Sequence, residues 1–288
     1  MTNKIAVKTV DEFMAGYVPV YQPILPLFLG KAKQYVEQVG TATVKRLDAV
    51  GDIRNRHLNP KDTEIKQIVS KLSSKVYKKY FLAGQYVESN FQDQEGLNDV
   101  VSQVLDEHNK HQDDLLFLGE GTSATTMVNN GLFWSDDANY VLESSAAVAA
   151  GTAADHLADM HTKIMATATK ANKVAGRKVL FVYGETAIGK LSAVYSSSPV
   201  VFKKVLADAL GANWSIVEVP SDVALGSVNG WIAVNMDQVQ LHYTALPQLS
   251  AQGVNEEKMH SWHNFIMGST MLEVLALYGI VRQPVTFA

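Results

Sequence analysis

Apolar and polar positions change rhythm several times along the 288 residues. Residues 13 to 36 mix apolar side chains with Pro19, Pro23 and Pro26, which fix φ and remove backbone donors. An extended arm is predicted there, with a helix only from Leu27 to Val39. From Val44 to Leu58 and from Ile65 to Leu82 the pattern moves toward alternation, with Val76, Lys78, Tyr80 and Leu82 on one face and Tyr77, Lys79 and Phe81 on the other. These are the predicted arms of a long β-hairpin with Asn59-Pro60-Lys61-Asp62 at its tip. Gly96 to His111 carries Leu97, Val100, Val101, Val104 and Leu105 at helical spacing. Asp113-Asp114 is predicted to end that helix, leaving Leu115 to Leu118 as a separate buried run and 119 to 130 as a polar loop.

The strongest periodicity runs from Ser144 to Lys173, with Ala146, Ala150, Ala153, Leu157, Met160, Ile164, Ala168 and Ala171 in steps of three and four. It predicts a helix about 45 Å long, capped by Ser144 or Ser145 and stopped by Gly176. Downstream the pattern predicts strands at Lys178 to Tyr183, Trp214 to Val219 and Gly230 to Asn235. Helices are predicted at Val200 to Leu210 and Glu256 to Met267, an alternating segment at Gln238 to Tyr243, and a last apolar run from Met271 to Val281. Helices and strands interleave without regular βαβ units, so the fold class is α+β.

Composition narrows the picture. With 47% hydrophobic and 19% charged residues the chain can build a sizeable core. No Pro/Gly/Ser-rich linker separates two halves, so one body with extensions is expected. The absence of cysteine excludes disulfides and thiolate chemistry and suits a reducing cytoplasm. The first residues lack the apolar stretch of a signal peptide, and no apolar run reaches the ~18 residues that span a bilayer, so no membrane partner is expected. Charge is uneven: residues 1–43, 44–79 and 80–288 carry +1, +6 and −11. A basic segment in an acidic chain suits nucleic acid, or the acidic remainder of another copy, or simply a solvated strand.

Three constellations resemble chemistry. Gly184-Glu185-Thr186-Ala187-Ile188-Gly189-Lys190 follows an apolar strand and matches the G-x-x-x-x-G-K of a phosphate-binding loop. Leu191 stands where a Ser/Thr would hold magnesium, and Ser196-Ser197-Ser198-Pro199 interrupts the helix that should follow. Trp231 to Asp237 would be its acidic partner strand. His108 and His111, with Asp106, Glu107, Asp113 and Asp114 nearby, lack a third metal ligand at a recognisable spacing. His156, His161, His260 and His263 are expected at surfaces or interfaces. No catalytic, cofactor-binding or metal-ligating residue is assigned, and no enzyme activity is expected.

The order of elements is arm, basic hairpin, helix, Asp113-Asp114-Leu115-Leu116-Phe117-Leu118-Gly119, small loop, Gly131-Leu132-Phe133, long helix, mixed lobe and final strand. It resembles tailed-bacteriophage major capsid proteins of the HK97-like (Hong Kong phage) fold and, within that lineage, encapsulin shell proteins. Asp113, Asp114, Phe117, Gly119, Gly131 and Leu132 occupy the places of the encapsulin-like pattern. The resemblance implies an N-terminal arm (1–40), an extended β-hairpin loop (41–88), a peripheral domain with a long spine helix (89–183), an axial domain (184–270) and a return strand (271–288). It implies a homo-oligomer of hexamers and pentamers in an icosahedral shell enclosing double-stranded DNA, assembled in the host cytoplasm and located in the virion. Scaffolding and portal proteins are the expected partners. An encapsulin-type nanocompartment is the alternative within the lineage, and a phosphate-loop NTPase the alternative from another class.

Overall fold

The structure, a computed structural model, describes residues 16–18, 21–34, 40–49, 71–79, 81–89, 94–119, 130–135, 139–149, 151–195, 199–220, 228–243, 246, 248–255, 260–268 and 270–288. A 3-10 turn (Leu25–Lys31) leads to β1 (Lys33–Gln34), β2 (Gly40–Ala49), β3 (Lys71–Lys79), β4 (Phe81–Ser89) and α1 (Gln94–Leu118). Then follow β5 (Tyr140–Leu142), β6 (Ala146–Val148), α2 (Ala153–Ala171), β7 (Lys178–Tyr183), α3 (Glu185–Leu191), α4 (Phe202–Leu210), β8 (Trp214–Glu218) and β9 (Asn229–Asn235). The remaining strands are β10 (Val239–Tyr243), β11 (Gln248–Asn255), β12 (His260–Gly268), β13 (Thr270–Val274) and β14 (Ile280–Phe287). The class is α+β.

A six-stranded sheet organises the interior, in the order β5-β14-β9-β7-β8, with β6 also on β14. Strict alternation divides its side chains between two cores. Val179, Phe181, Tyr183, Ile232, Val234 and Ile280 enter one, with Ile24, Leu25, Phe28, Leu116, Phe117, Leu132 and Phe133. Leu180, Val182, Trp231, Ala233 and Val281 enter the other, against Leu157, Met160 and Ile164 of α2, Ala187 and Leu191 of α3, and Phe202 and Leu206 of α4. Being buried on both faces, β7 and β9 read as continuous apolar runs. Two three-stranded sheets, β1-β10-β13 and β11-β12-β4, and the ribbon β2-β3 complete the described strands.

Several expectations change. The helix predicted over Leu27 to Val39 is a 3-10 turn from Leu25 to Lys31 followed by β1, which pairs in parallel with β10. Pro26 starts the turn, and Ile24, Leu25 and Phe28 plug into the core before a longer helix can form. The hairpin arms are Gly40–Ala49 and Lys71–Lys79, with Gly40 opposite Lys79 and Ala49 opposite Lys71. Residues 81 and 82 belong instead to β4, which pairs with β12. The predicted tip, Asn59 to Asp62, lies outside the described residues.

Asp113-Asp114 does not end a helix. α1 continues as one 25-residue helix to Leu118, because Asp113 lies on its buried face and accepts hydrogen bonds from the arm. The helix predicted over Ser144 to Lys173 is shorter, 19 residues from Ala153. Its start is fixed by a capping box, in which the Thr152 side chain accepts from Asp155 N–H and Asp155 accepts from Thr152 N–H. Residues 146–148 form β6 on β14 instead, and Asn172 caps the far end. The predicted helix over Glu256 to Met267 is contradicted too. His260–Gly268 is β12, which has a strand on each side, β11 and β4, so its backbone groups are satisfied by ladder bonds. The last apolar run divides into β13 and β14 around a turn containing Tyr278, a non-glycine residue at φ 68°.

Candidate functional site

The phosphate-loop look-alike is a strand, a left-handed glycine and one short helix. Gly184 (φ 87°) ends β7 and lets the chain turn directly into α3, and a Cβ there would fall 2.4 Å from Asn229 Oδ1. The donor a phosphate would use is taken, since Ala187 N–H donates to Asn229 Oδ1 at 3.2 Å. α3 stops at Leu191 after seven residues. Asp237, on the supposed partner strand, lies at the other end of the sheet. Gly230 of β9 sits opposite Tyr183 beside the loop, whereas Asn235, two residues before Asp237, pairs with Lys178. Asp237 accepts from Lys31 Nζ at 2.8 Å and from Arg177 N–H at 3.0 Å. Lys190 lines an open groove with Ala153, Ala154, Leu157, Ala193 and Val194. The parts of a nucleotide site are not brought together.

The acids of α1 anchor the N-terminal arm. Tyr17 OH donates to Asp106 at 2.5 Å and accepts from Asn109 Nδ2 at 3.3 Å. Asp113, fully buried, accepts from Tyr21 OH (2.7 Å), Ile24 N–H (2.8 Å) and Leu25 N–H (2.9 Å). Burial pushes its carboxyl above the usual carboxylate range, against the pull of these three donors. Burial and neighbouring His111 hold His108 below the usual histidine range. Among the described residues no three His, Asp or Glu side chains are grouped as a metal site. His156 and His161 lie on α2, the latter with its ring 6.1 Å from Tyr195. His260 and His263 lie on β12, whose side chains are outside the described part.

Two buried polar groups have no counterpart in the sequence-based expectations. His242 Nε2 and Glu273 Oε2 are 2.9 Å apart on paired strands β10 and β13, each side chain about 5% exposed or less. Arg282 on β14 is 5% exposed. It donates to Phe133 O (2.6 Å) and Tyr183 OH (3.4 Å), and its guanidinium lies 4.8 Å from the Phe133 ring and 5.2 Å from the Trp134 ring. Tyr140 OH donates to Leu132 O, and burial raises the Tyr140 and Tyr183 phenols above their ordinary value while Arg282 pulls them down. These groups hold Gly131 to Trp134 against the sheet. Gly131 is required there, because a Cβ would meet Gly119 N at 2.2 Å. The only signal in the sequence is a charged residue inside an otherwise apolar strand.

What remains is surface and edge. Among the described strands, β8 has a partner on one side only and the ribbon β2-β3 belongs to no larger sheet. Val194, Val201, Leu142, Leu275 and Leu277 are exposed. No described helix is long and apolar enough to cross a membrane.

No family model matches the sequence, and no curated protein matches it. Solved structures do. The chain is similar to the capsid of Myoviridae phage XM1 (TM-score 0.58, 12% identity) over 98% of its own length and 100% of that chain. It is similar to the capsid of an empty GTA particle (TM-score 0.59, 8% identity; 94% and 93% covered). It is also similar to a virus-like particle from Pyrococcus furiosus (TM-score 0.53, 12% identity; 95% and 94% covered). The fold is the HK97-like capsid fold, spanning essentially the whole chain.

Proposed function

We propose that this chain is the major capsid protein of a tailed bacteriophage, which assembles through pentamers and hexamers into an icosahedral shell around double-stranded DNA. The observation that carries the reading is the full-length match in both directions to the capsid of phage XM1, which takes in almost all of both chains. Buried Asp113 and Arg282 agree with it, since they anchor the arm and fix Gly131 to Trp134. The subunit's work is structural, in the virion, after assembly in the host cytoplasm, with scaffolding and portal proteins as partners.

The expected boundary at 183/184 divides the six-stranded sheet, separating β7 from β8 and β9, and the one at 270/271 falls inside β13 of the sheet β1-β10-β13. The axial part is therefore proposed to be the six-stranded sheet with α2, α3 and α4, and the peripheral part β1-β10-β13, β11-β12-β4 and α1. α1, which follows the hairpin directly and is the longest described helix, takes the place of the spine. The arm (1–40) and the extended loop (41–88) keep their boundaries, with β1 and β4 as the strands by which they join the two peripheral sheets. A ribbon of two strands is marginal alone and needs a neighbouring surface.

Electron microscopy of the purified, concentrated protein tests the reading. Closed shells are expected, and a protein that stays monomeric at every concentration overturns it. The likeness to the Pyrococcus particle favours an encapsulin-type compartment as the second reading. Nuclease-protected DNA inside shells from infected or induced cells supports the phage capsid; a packaged enzyme supports the compartment.

A further inference from the structure

Residues 160 to 184 contain Lys163, Lys170, Lys173, Arg177 and Lys178 and no Asp or Glu, in a chain whose net charge is −4. Lys163 is paired with Asp159 one turn earlier in α2. The other four gather where α2 ends and the chain turns into β7. Asn235 fixes this turn, donating from Nδ2 to Val174 O (3.2 Å) and Ala175 O (3.0 Å), and Asn235 N–H donates to Gly279 O (2.8 Å). The clamp sets Lys173 beside Tyr278, its Nζ 3.1 Å from the hydroxyl and 4.3 Å from the ring centroid. Both Lys173 and Arg177 are exposed, and the Arg177 guanidinium makes no hydrogen bond or ion pair among the described residues. Arg177 and Lys31 line one cleft of about 170 Å³ with Asp237.

The local charges do not cancel. Lys31 pairs with Asp237 at 2.8 Å and Lys170 with Glu143 at 2.6 Å, each lysine half-exposed. Lys173, Arg177 and the buried Lys178 are left without a carboxylate within ion-pair distance among the described residues. A stable protein interface needs a desolvated apolar centre. Binding a polyanion needs only accessible cations, because released counterions drive it.

We propose that the face formed by Lys31, Lys170, Lys173, Arg177 and the Tyr278 ring contacts the phosphodiester backbone of double-stranded DNA without reading its sequence. The inference rests on the capsid reading, in which the shell encloses double-stranded DNA. The exposed Leu275 and Leu277 on the same turn would fit a second copy of the chain, and the experiment separates the two.

Full-length subunits, held below the concentration at which shells form, are titrated onto two 30-base-pair duplexes of unrelated sequence at several salt concentrations. Equal binding of both duplexes is expected. In Lys173→Gln/Arg177→Gln the slope of log affinity against log salt should shrink by about 2, at ~0.9 for each phosphate no longer neutralised. Lys204→Gln, an exposed lysine on α4, should leave the slope unchanged. Melting temperature and shell formation, measured on the same double variant, report its fold. An unchanged slope in a folded double variant overturns the inference, as does an unchanged slope with a shifted onset of shell formation, which would assign the face to a neighbouring subunit. Wild-type protein that binds duplex through these residues but never forms shells would overturn the capsid reading and leave the DNA-binding face standing.

Discussion

The two faces of the six-stranded sheet are closed in different ways. On one, α2, α3 and α4 lay regular apolar stripes over Leu180, Val182, Trp231, Ala233 and Val281. On the other, much of the cover is irregular backbone, a 3-10 turn and the segment Gly131 to Trp134, beside the last turn of α1 and strands β10 and β13. A helix satisfies its own backbone groups, so the first face needs polar side chains only at its ends. Irregular backbone does not, and the second face recruits Asp113 and Arg282 to satisfy amides and carbonyls that would otherwise be buried unpaired. One face therefore depends on apolar packing and the other on a few buried polar residues.

The comparison can be broken from either side. Leu157 is 2% exposed on α2. Leu157→Asp places a charge without a partner in the helical face, and a loss of about 3–5 kcal/mol is expected, enough to make the subunit insoluble. Soluble yield measures it. On the irregular face, Asp113→Ala orphans three donors, two of them buried amides at about 1–3 kcal/mol each, and about 3 kcal/mol in total is expected from chemical denaturation.

The same carboxyl also gives a pH signature. Its pKa is raised in the fold, so its contribution to stability grows as pH falls and is lost as pH rises through the folded value. Asp113→Asn cannot titrate, and its melting temperature plotted from about pH 4 to 7 should fall less toward neutrality than the wild type's. Smaller effects belong to the helical face. Thr167→Val leaves the Trp231 indole N–H, now 3.0 Å from Thr167 Oγ1, unpaired in the core, for about 1–2 kcal/mol. Thr152→Ala removes the α2 cap for about 1 kcal/mol. If the two small losses exceed that of Asp113→Ala, the contrast between the faces is wrong.

The same contrast explains what the sequence can show. The stripe Leu157, Met160, Ile164, Ala168 and Ala171 is local, and it places the helix and its buried face correctly. The alanine period continues through β6, so it puts the helix start at Ser144 or Ser145, although Thr152-x-x-Asp155 carries the better capping pattern. Asp113 reads as a helix end, because its partners Tyr21, Ile24 and Leu25 lie 88 to 92 residues away and leave no trace in the local pattern. β12 reads as helical although its partner β11 immediately precedes it, because its other ladder partner, β4, lies 172 to 187 residues earlier in the chain. His242 and Glu273 give no warning, since each is a lone charge-bearing residue in an apolar strand until β10 and β13 meet. The order of elements depends on none of these pairings and is enough to suggest the fold.

The position of β14 has a consequence in time. It sits between β9 and the β5–β6 edge, and Ile280 pairs with Tyr140, a partner 140 positions earlier in the chain. At a synthesis rate of about 5–20 residues per second, β5 waits on the order of ten seconds or more before its neighbour exists. β9 is complete only 45 residues before β14 begins, so for the last ~2–9 s of that interval its apolar edge is open to any strand that arrives first, including one from another nascent copy. Correct pairing therefore favours chains released singly and completed before they meet, and crowded translation of one message is the condition under which mispaired chains should accumulate.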